Sequence, residues 1–313
     1  MDVSLPPQLH ALAQQPLSRA VEDSVDYYFG DQLSARFDPA MAVVWVTMRG
    51  MPRPCFNHEL LEAFNGVFTM LERSGGHLEH NGERKRFHYS VLRSSVPGVF
   101  NLGGDLSHFK RMIESRNLAE MRHYAHMCIE PLHRHYQAYH SPITTISLVE
   151  GQCLGGGFEL ALSSDVIVAE KSAKFGFPEI VFGLFPGMGA TSFLSRKVGE
   201  RVMDRLLSSG VVLTAEEAAE LGAVDVVCED GKGEAAVAEL IRKRRNQVHG
   251  YAAMAMAKRR ARNCTLQELT DITDLWAETA MNLSPMNLKL MGRLIAKQDE
   301  LAERETTGQK LAA

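Results

Sequence analysis

Leu154-Gly155-Gly156-Gly157-Phe158-Glu159 is the stretch on which the reading of this chain turns. Three successive glycines let backbone N–H groups approach a ligand with no Cβ in the way. The residues that follow read as a helix. The N–H groups therefore stand at a helix start, where unpaired donors and the macrodipole favour negative charge. One carboxylate, Glu159, falls in the first turn, and a second, Glu179, follows Phe175-Gly176-Phe177-Pro178. Two carboxylates beside free N–H donors are the parts of an acid–base site that polarises a carbonyl oxygen. The chain reads as an enzyme.

Outward from this point strands and helices alternate. Ile143 to Val149 and Val166 to Ala169 are expected as central strands on either side of the glycine helix. Ala42 to Met48 is a further buried strand, stopped by Arg49-Gly50 and the Pro52/Pro54 pair. Leu60, Leu61, Phe64, Val67, Phe68 and Leu71 recur at helical spacing and stop near Gly75-Gly76. Phe87, Tyr89 and Val91 alternate as a strand would, and the polar insert from Ser74 to Arg86 reads as a surface loop. Thr214-Ala215-Glu216-Glu217 is a capping box, and Val224 to Cys228 a last strand. From Gly233 the pattern is helical. The expected organisation is a loosely ordered arm over 1–20, an α/β core over 21–232, a helical C-terminal region over 233–302 and a frayed tail over 303–313.

Composition narrows the class. Of 313 residues 45% are hydrophobic and 23% charged, as in globular proteins, and a formal net charge of −4 gives no reason to expect nucleic acid as partner. Five scattered cysteines (55, 128, 153, 228 and 264) form no CxxC pair and fit reduced thiols in a cytosol. Met1 to Ala20 holds Pro6, Pro7 and Pro16 and no apolar run behind a basic start, so no signal peptide is expected. No stretch approaches the roughly 20 apolar residues of a membrane span. A cytoplasmic protein is the expectation.

Three motifs fall in order: Val99-Phe100-Asn101-Leu102-Gly103-Gly104-Asp105-Leu106, then Leu154 to Glu159, then Phe175 to Glu179 with Leu184-Phe185-Pro186-Gly187-Met188-Gly189 behind it. Their order and spacing resemble the crotonase (enoyl-CoA hydratase) superfamily over roughly residues 40–300. Phe-Asn-Leu-Gly-Gly-Asp-Leu, Leu-Gly-Gly-Gly-Phe-Glu, Leu-Phe-Pro-Gly-Met-Gly-Ala and Leu-Trp-Ala-Glu-Thr-Ala-Met are similar to one branch of it, the diffusible-signal-factor synthases of bacterial quorum sensing.

The resemblance implies an α/β spiral of ββα turns, with a helical C-terminal region that closes the pocket and joins subunits into a trimer or hexamer. It implies an oxyanion hole from the N–H groups of Gly104 and Gly156, holding the thioester carbonyl of an acyl chain carried on acyl carrier protein or coenzyme A. Glu179 would exchange the α-proton and Glu159 would handle oxygen at the 3-position. The further implication is hydrolysis to a free cis-2-unsaturated fatty acid. Gly103, Leu154, Gly155, Phe185, Met188, Trp276 and Leu294 are implied in substrate binding. No cofactor or metal is required, and a sensor histidine kinase is an implied partner. Two alternatives stand beside this: an ordinary hydratase or acyl-CoA thioesterase, and a kinase-binding protein with secondary activity.

Two further features compete for attention. His123, His126, His133, His135 and His140 invite a metal reading, but no two are spaced as His-x-x-x-His and Pro131 interrupts them, so a partly exposed helix is expected. The basic runs Arg242 to Arg245 and Lys258 to Arg262 read either as docking surfaces for an acidic carrier or coenzyme phosphates, or as solvated helix faces; the second is favoured.

Overall fold

A computed structural model describes residues 24–50 and 52–307. It opens on an antiparallel meander of β1 (Val25–Phe29), β2 (Leu33–Asp38) and β3 (Val43–Met48). Strand β3 is buried almost throughout because alternate residues feed two different cores. Val44, Val46 and Met48 enter the main core, and Val43 and Trp45 a smaller one on the opposite face. Helix α1 (His58–Ser74) then buries the apolar stripe visible in the sequence. Asn57 caps its start by accepting from Leu60 N, and Gly75, at φ +58°, ends it.

The polar insert is not a loop but a hairpin of β4 (His77–His80) and β5 (Glu83–Arg86). Its turn is Asn81-Gly82, both at positive φ, a pair suited to a turn whose twist matches the flanking strands. The hairpin buries Leu78 and His80.

Three units with one plan follow: a strand for a large sheet, a strand for a small one, then helix. The first is β6 (Tyr89–Ser94), β7 (Gly98–Asn101), α2 (Leu106–Glu114) and α3 (Leu118–Tyr136). The second is β8 (Thr144–Val149), β9 (Gly151–Leu154) and α4 (Gly156–Leu162). The third is β10 (Val166–Glu170), β11 (Lys174–Gly176), a 3-10 turn at Pro178–Phe182, α5 (Ala190–Val198) and α6 (Glu200–Ser209). The chain continues through β12 (Val212–Thr214), α7 (Ala215–Glu220) and β13 (Val226–Cys228). It closes with α8 (Gly233–Arg244), α9 (Val248–Ala261), α10 (Leu266–Ala280) and α11 (Pro285–Thr307).

The large sheet runs β1-β2-β3-β6-β8-β10-β13, parallel from β3 onward, and the small one β12-β11-β9-β7. This is the expected ββα spiral. The small sheet gathers the ends of β7, β9 and β11, and so brings three separate motifs together. Thr214 and Glu217 form the expected capping box at α7.

The arm over 1–20 lies outside the described residues, as do 308–313; residues 303–307, expected in the tail, are helical. Pro131 does not interrupt the histidine stretch, since α3 runs through it. Met121, Tyr124, Cys128, Ile129 and Leu132 make one continuous buried face there, which outweighs the hydrogen bond a proline cannot donate. His135 on that helix is fully buried, not partly exposed. Its ring meets Tyr139 Oη at 2.6 Å and Ser164 Oγ at 2.9 Å, and burial pushes its pKa down to about 3. No described helix is long and apolar enough to cross a membrane.

Candidate active site

The first glycine motif follows β7. Asn101 Oδ1 accepts from Gly103 N at 2.8 Å, turning the chain at a glycine of φ +85°. Gly103 O accepts from Phe56 N at 2.8 Å, which fixes the peptide that carries the Gly104 N–H. Asp105 then caps α2 by accepting from His108 N.

The second motif follows β9. Gly155 sits at φ +53° and ψ −127°, backbone that a side chain makes costly, and α4 starts at Gly156. The two turns touch: a Cβ on Gly103 would lie 2.9 Å from Gly156 N and 3.1 Å from Leu154 O. The N–H groups of Gly104 and Gly156 are thereby neighbours, and neither donates to another backbone group among the described residues.

Glu159, one turn into α4, is 1% exposed. Its Oε1 accepts from Met188 N at 2.7 Å and Ala190 N at 2.8 Å, at the start of α5. Glu179 lies on the 3-10 turn with its carboxyl against Gly155, where a Cβ would come within 2.4 Å of Oε1. The residue is half-buried as a whole, yet Oε2 is shut off from solvent and has no hydrogen-bond partner among the described residues. Burial raises both carboxyls, Glu159 to about 7 and Glu179 to about 8, the latter also through the charge of Glu159. The two backbone donors oppose the rise at Glu159. The pair titrates as a unit, with negative charge favoured on Glu159 and the proton on Glu179.

Both carboxyls, Gly104 and Gly156 border one cavity of about 210 Å³. Leu154, Gly155, Met188, Trp276 and Leu294 also line it; Gly103 and Phe185 do not. Gly103 is spent on backbone packing behind the wall, and Phe185 packs partly buried against the core. The walls the sequence did not disclose come mainly from helices: Phe109, Tyr124, Cys128, Thr273 and Gln298. Tyr124 and Cys128 read as ordinary members of an apolar helix face. Thr273 and Gln298 carry no local signal at all. Thr273 Oγ1 donates to Gly187 O at 2.6 Å, pinning the loop whose next N–H holds Glu159. Gln298 Nε2 reaches Leu102 O at 3.4 Å and Gly104 O at 3.3 Å, and Asp299 beside it pairs with Arg53 at 2.6 Å. Helix α11 is thus tied to the turn that holds Gly104.

Among the described residues the grouping with metal-ligand spacing is His58, His108 and Glu120, none of which lines the cavity. His126, His133 and His140 face Asp274, Cys264 O and Glu72 separately. In the second basic run Arg259 is neither solvated nor a docking group: it is 7% exposed and holds Asp165 at 2.5 Å.

The sequence matches the profile of the enoyl-CoA hydratase/isomerase family over residues 56–289. It is 31% identical over 213 residues to a probable mitochondrial enoyl-CoA hydratase 2 of Arabidopsis thaliana, covering 67% of this chain and 64% of that one. It is 33% identical over 181 residues to the mitochondrial methylglutaconyl-CoA hydratase of Rattus norvegicus, covering 56% of this chain and 54% of that one. The chain thus spans between half and two thirds of the length of these two relatives. The fold resembles an enoyl-CoA hydratase/isomerase from Xanthobacter autotrophicus Py2, with TM-score 0.66, 21% identity and coverage of 90% and 99%. It also resembles Pseudomonas aeruginosa DspI, with TM-score 0.61, 21% identity and coverage of 88% and 98%. With its glycine turns and paired glutamates, the chain belongs to the enoyl-CoA hydratase/isomerase family.

Proposed function

We propose that this protein dehydrates a 3-hydroxyacyl thioester, on acyl carrier protein or coenzyme A, and hydrolyses the enoyl product to a free cis-2-unsaturated fatty acid signal. The observation that carries the acid–base chemistry is the buried pair Glu159 and Glu179, sharing an apolar cavity with the N–H groups of Gly104 and Gly156. A thioester carbonyl held by those N–H groups acidifies the α-carbon, because the charge of the enolate falls on the held oxygen. Glu179 as carboxylate takes the α-proton, and Glu159 as acid protonates the departing 3-hydroxyl. The step ends with the charge on Glu159 and the proton on Glu179, the placement the hydrogen bonds favour. Glu159 is then the base for a water that attacks the same carbonyl.

The hydrolytic step and the cis product rest on the resemblance of Phe100 to Leu106, Leu154 to Glu159 and Leu184 to Ala190 to the signal synthases. The curated relatives favour a second reading, a hydratase that releases no acid. Mass spectrometry of extracts from cells expressing wild type or the Glu159→Ala, Glu179→Ala double variant decides between them. A free cis-2-enoic acid with wild type alone is the expected result; hydration of trans-enoyl-CoA without free acid sinks the synthase reading. We also propose a cytoplasmic homo-oligomer with a sensor kinase as partner. The exposed Ile180, Val181, Val211 and Val212 near the cavity favour assembly, and sedimentation velocity tests it.

A further inference from the structure

A second cavity, of about 350 Å³, lies away from the catalytic residues, between the start of β6 and helices α8 and α9. Tyr89 forms part of its wall. That residue is 2% exposed, and its hydroxyl is cut off from solvent with no partner among the described residues. A buried phenol without a partner forfeits the hydrogen bonds water gave it, a cost an incoming acceptor removes. His88, Arg242 and Arg245 share the lining. Arg244 bears electrostatically on Tyr89, and Arg86 and His249 on His88. The nearby acids are committed elsewhere: Glu239 holds Arg242 and Lys243, and Asp38 accepts from Met41 N. Arg245 has no carboxylate partner among the described residues. Donors of three kinds in a cationic hollow, with no free acid to repel a ligand, suit an anion with several oxygens better than a carboxylate with two.

We propose that this cleft binds the phosphate of a small phosphorylated molecule, with Tyr89 donating from the floor and His88 and Arg245 closing on its oxygens. The first basic run of the sequence then has a task separate from catalysis. Two sources offer that chemistry, a free phosphorylated metabolite and the 3′-phosphate of coenzyme A.

Calorimetric titration of the full chain with inorganic phosphate, against acetate at equal ionic strength, tests the site. Single-site binding of phosphate but not acetate is expected. Tyr89→Phe and Arg245→Gln should each weaken it by about tenfold, the loss of one hydrogen bond to a charged group, with kcat for an enoyl thioester unchanged. Coenzyme A and dephospho-coenzyme A separate the sources. A Tyr89→Phe penalty on coenzyme A alone assigns the 3′-phosphate, and no penalty on either assigns a free metabolite. Failure to bind phosphate overturns the proposal. So does equal binding of acetate, or phosphate binding indifferent to both substitutions, which would leave the phenol facing water only.

Discussion

At the scale of single residues the site depends on two carboxyls that resist ionisation. The folded chain keeps a proton on the pair at pH values where the unfolded chain has lost it. Stability therefore falls as pH rises from the ordinary carboxylate range toward about 8. Glu179→Gln removes that liability and, on the proposed chemistry, the base with it. The variant should unfold several degrees above wild type at pH 8, match it near pH 4, and lose 10²-fold or more in turnover, a contrast that thermal melts at the two pH values and initial rates will check. Gly155→Ala places a Cβ against the Glu179 carboxyl at a φ that side chains avoid. It should cost roughly 1–3 kcal/mol in chemical denaturation and at least tenfold in kcat. That Glu159, Glu179, Gly104 and Gly156 would share one cavity was legible because the proposed chemistry needs those residue types. Gly103 and Phe185 misled: the first serves backbone contact, and the second packs beside a loop whose backbone is what reaches the site.

At the scale of elements the sequence was readable wherever local chemistry governs. Thr214 and Gly75 mark helix ends in the letters themselves. The Asn81-Gly82 pair was equally plain, yet its flanks are polar and mask the strand pattern. Pro131 shows the opposite case, in which tertiary burial overrides a local breaker. Contacts between elements left no trace. Thr273 is one threonine among several, and only the packing of α10 on the 184–189 loop gives it a role. Thr273→Val leaves Gly187 O buried without its donor and loosens the loop holding Glu159. We expect a loss of about 1–3 kcal/mol and a several-fold fall in kcat with little change in KM, while Thr273→Ser restores both.

At the scale of the whole molecule, the spiral makes a small cavity from parts far apart in the chain, and helices α10 and α11 seal it. Trp276 lies against Gly187 and meets Phe109 edge to face at 5.0 Å. Trp276→Ala should cost about 3–5 kcal/mol and extend the cavity toward Phe109, shifting activity to longer or branched acyl chains, as a panel of thioesters will show. The charge pattern of the pair has a consequence for the order of events. On the proposed chemistry, dehydration moves the shared proton from Glu159 to Glu179, and hydrolysis, taking a proton from water at Glu159 and giving one to the thiol from Glu179, moves it back. Each half-reaction thus sets the site for the other and disarms it for its own repetition. On that chemistry the pair works as an escapement, advancing one tooth per bond broken, with its resting notch between the two half-reactions, where the charge lies on Glu159.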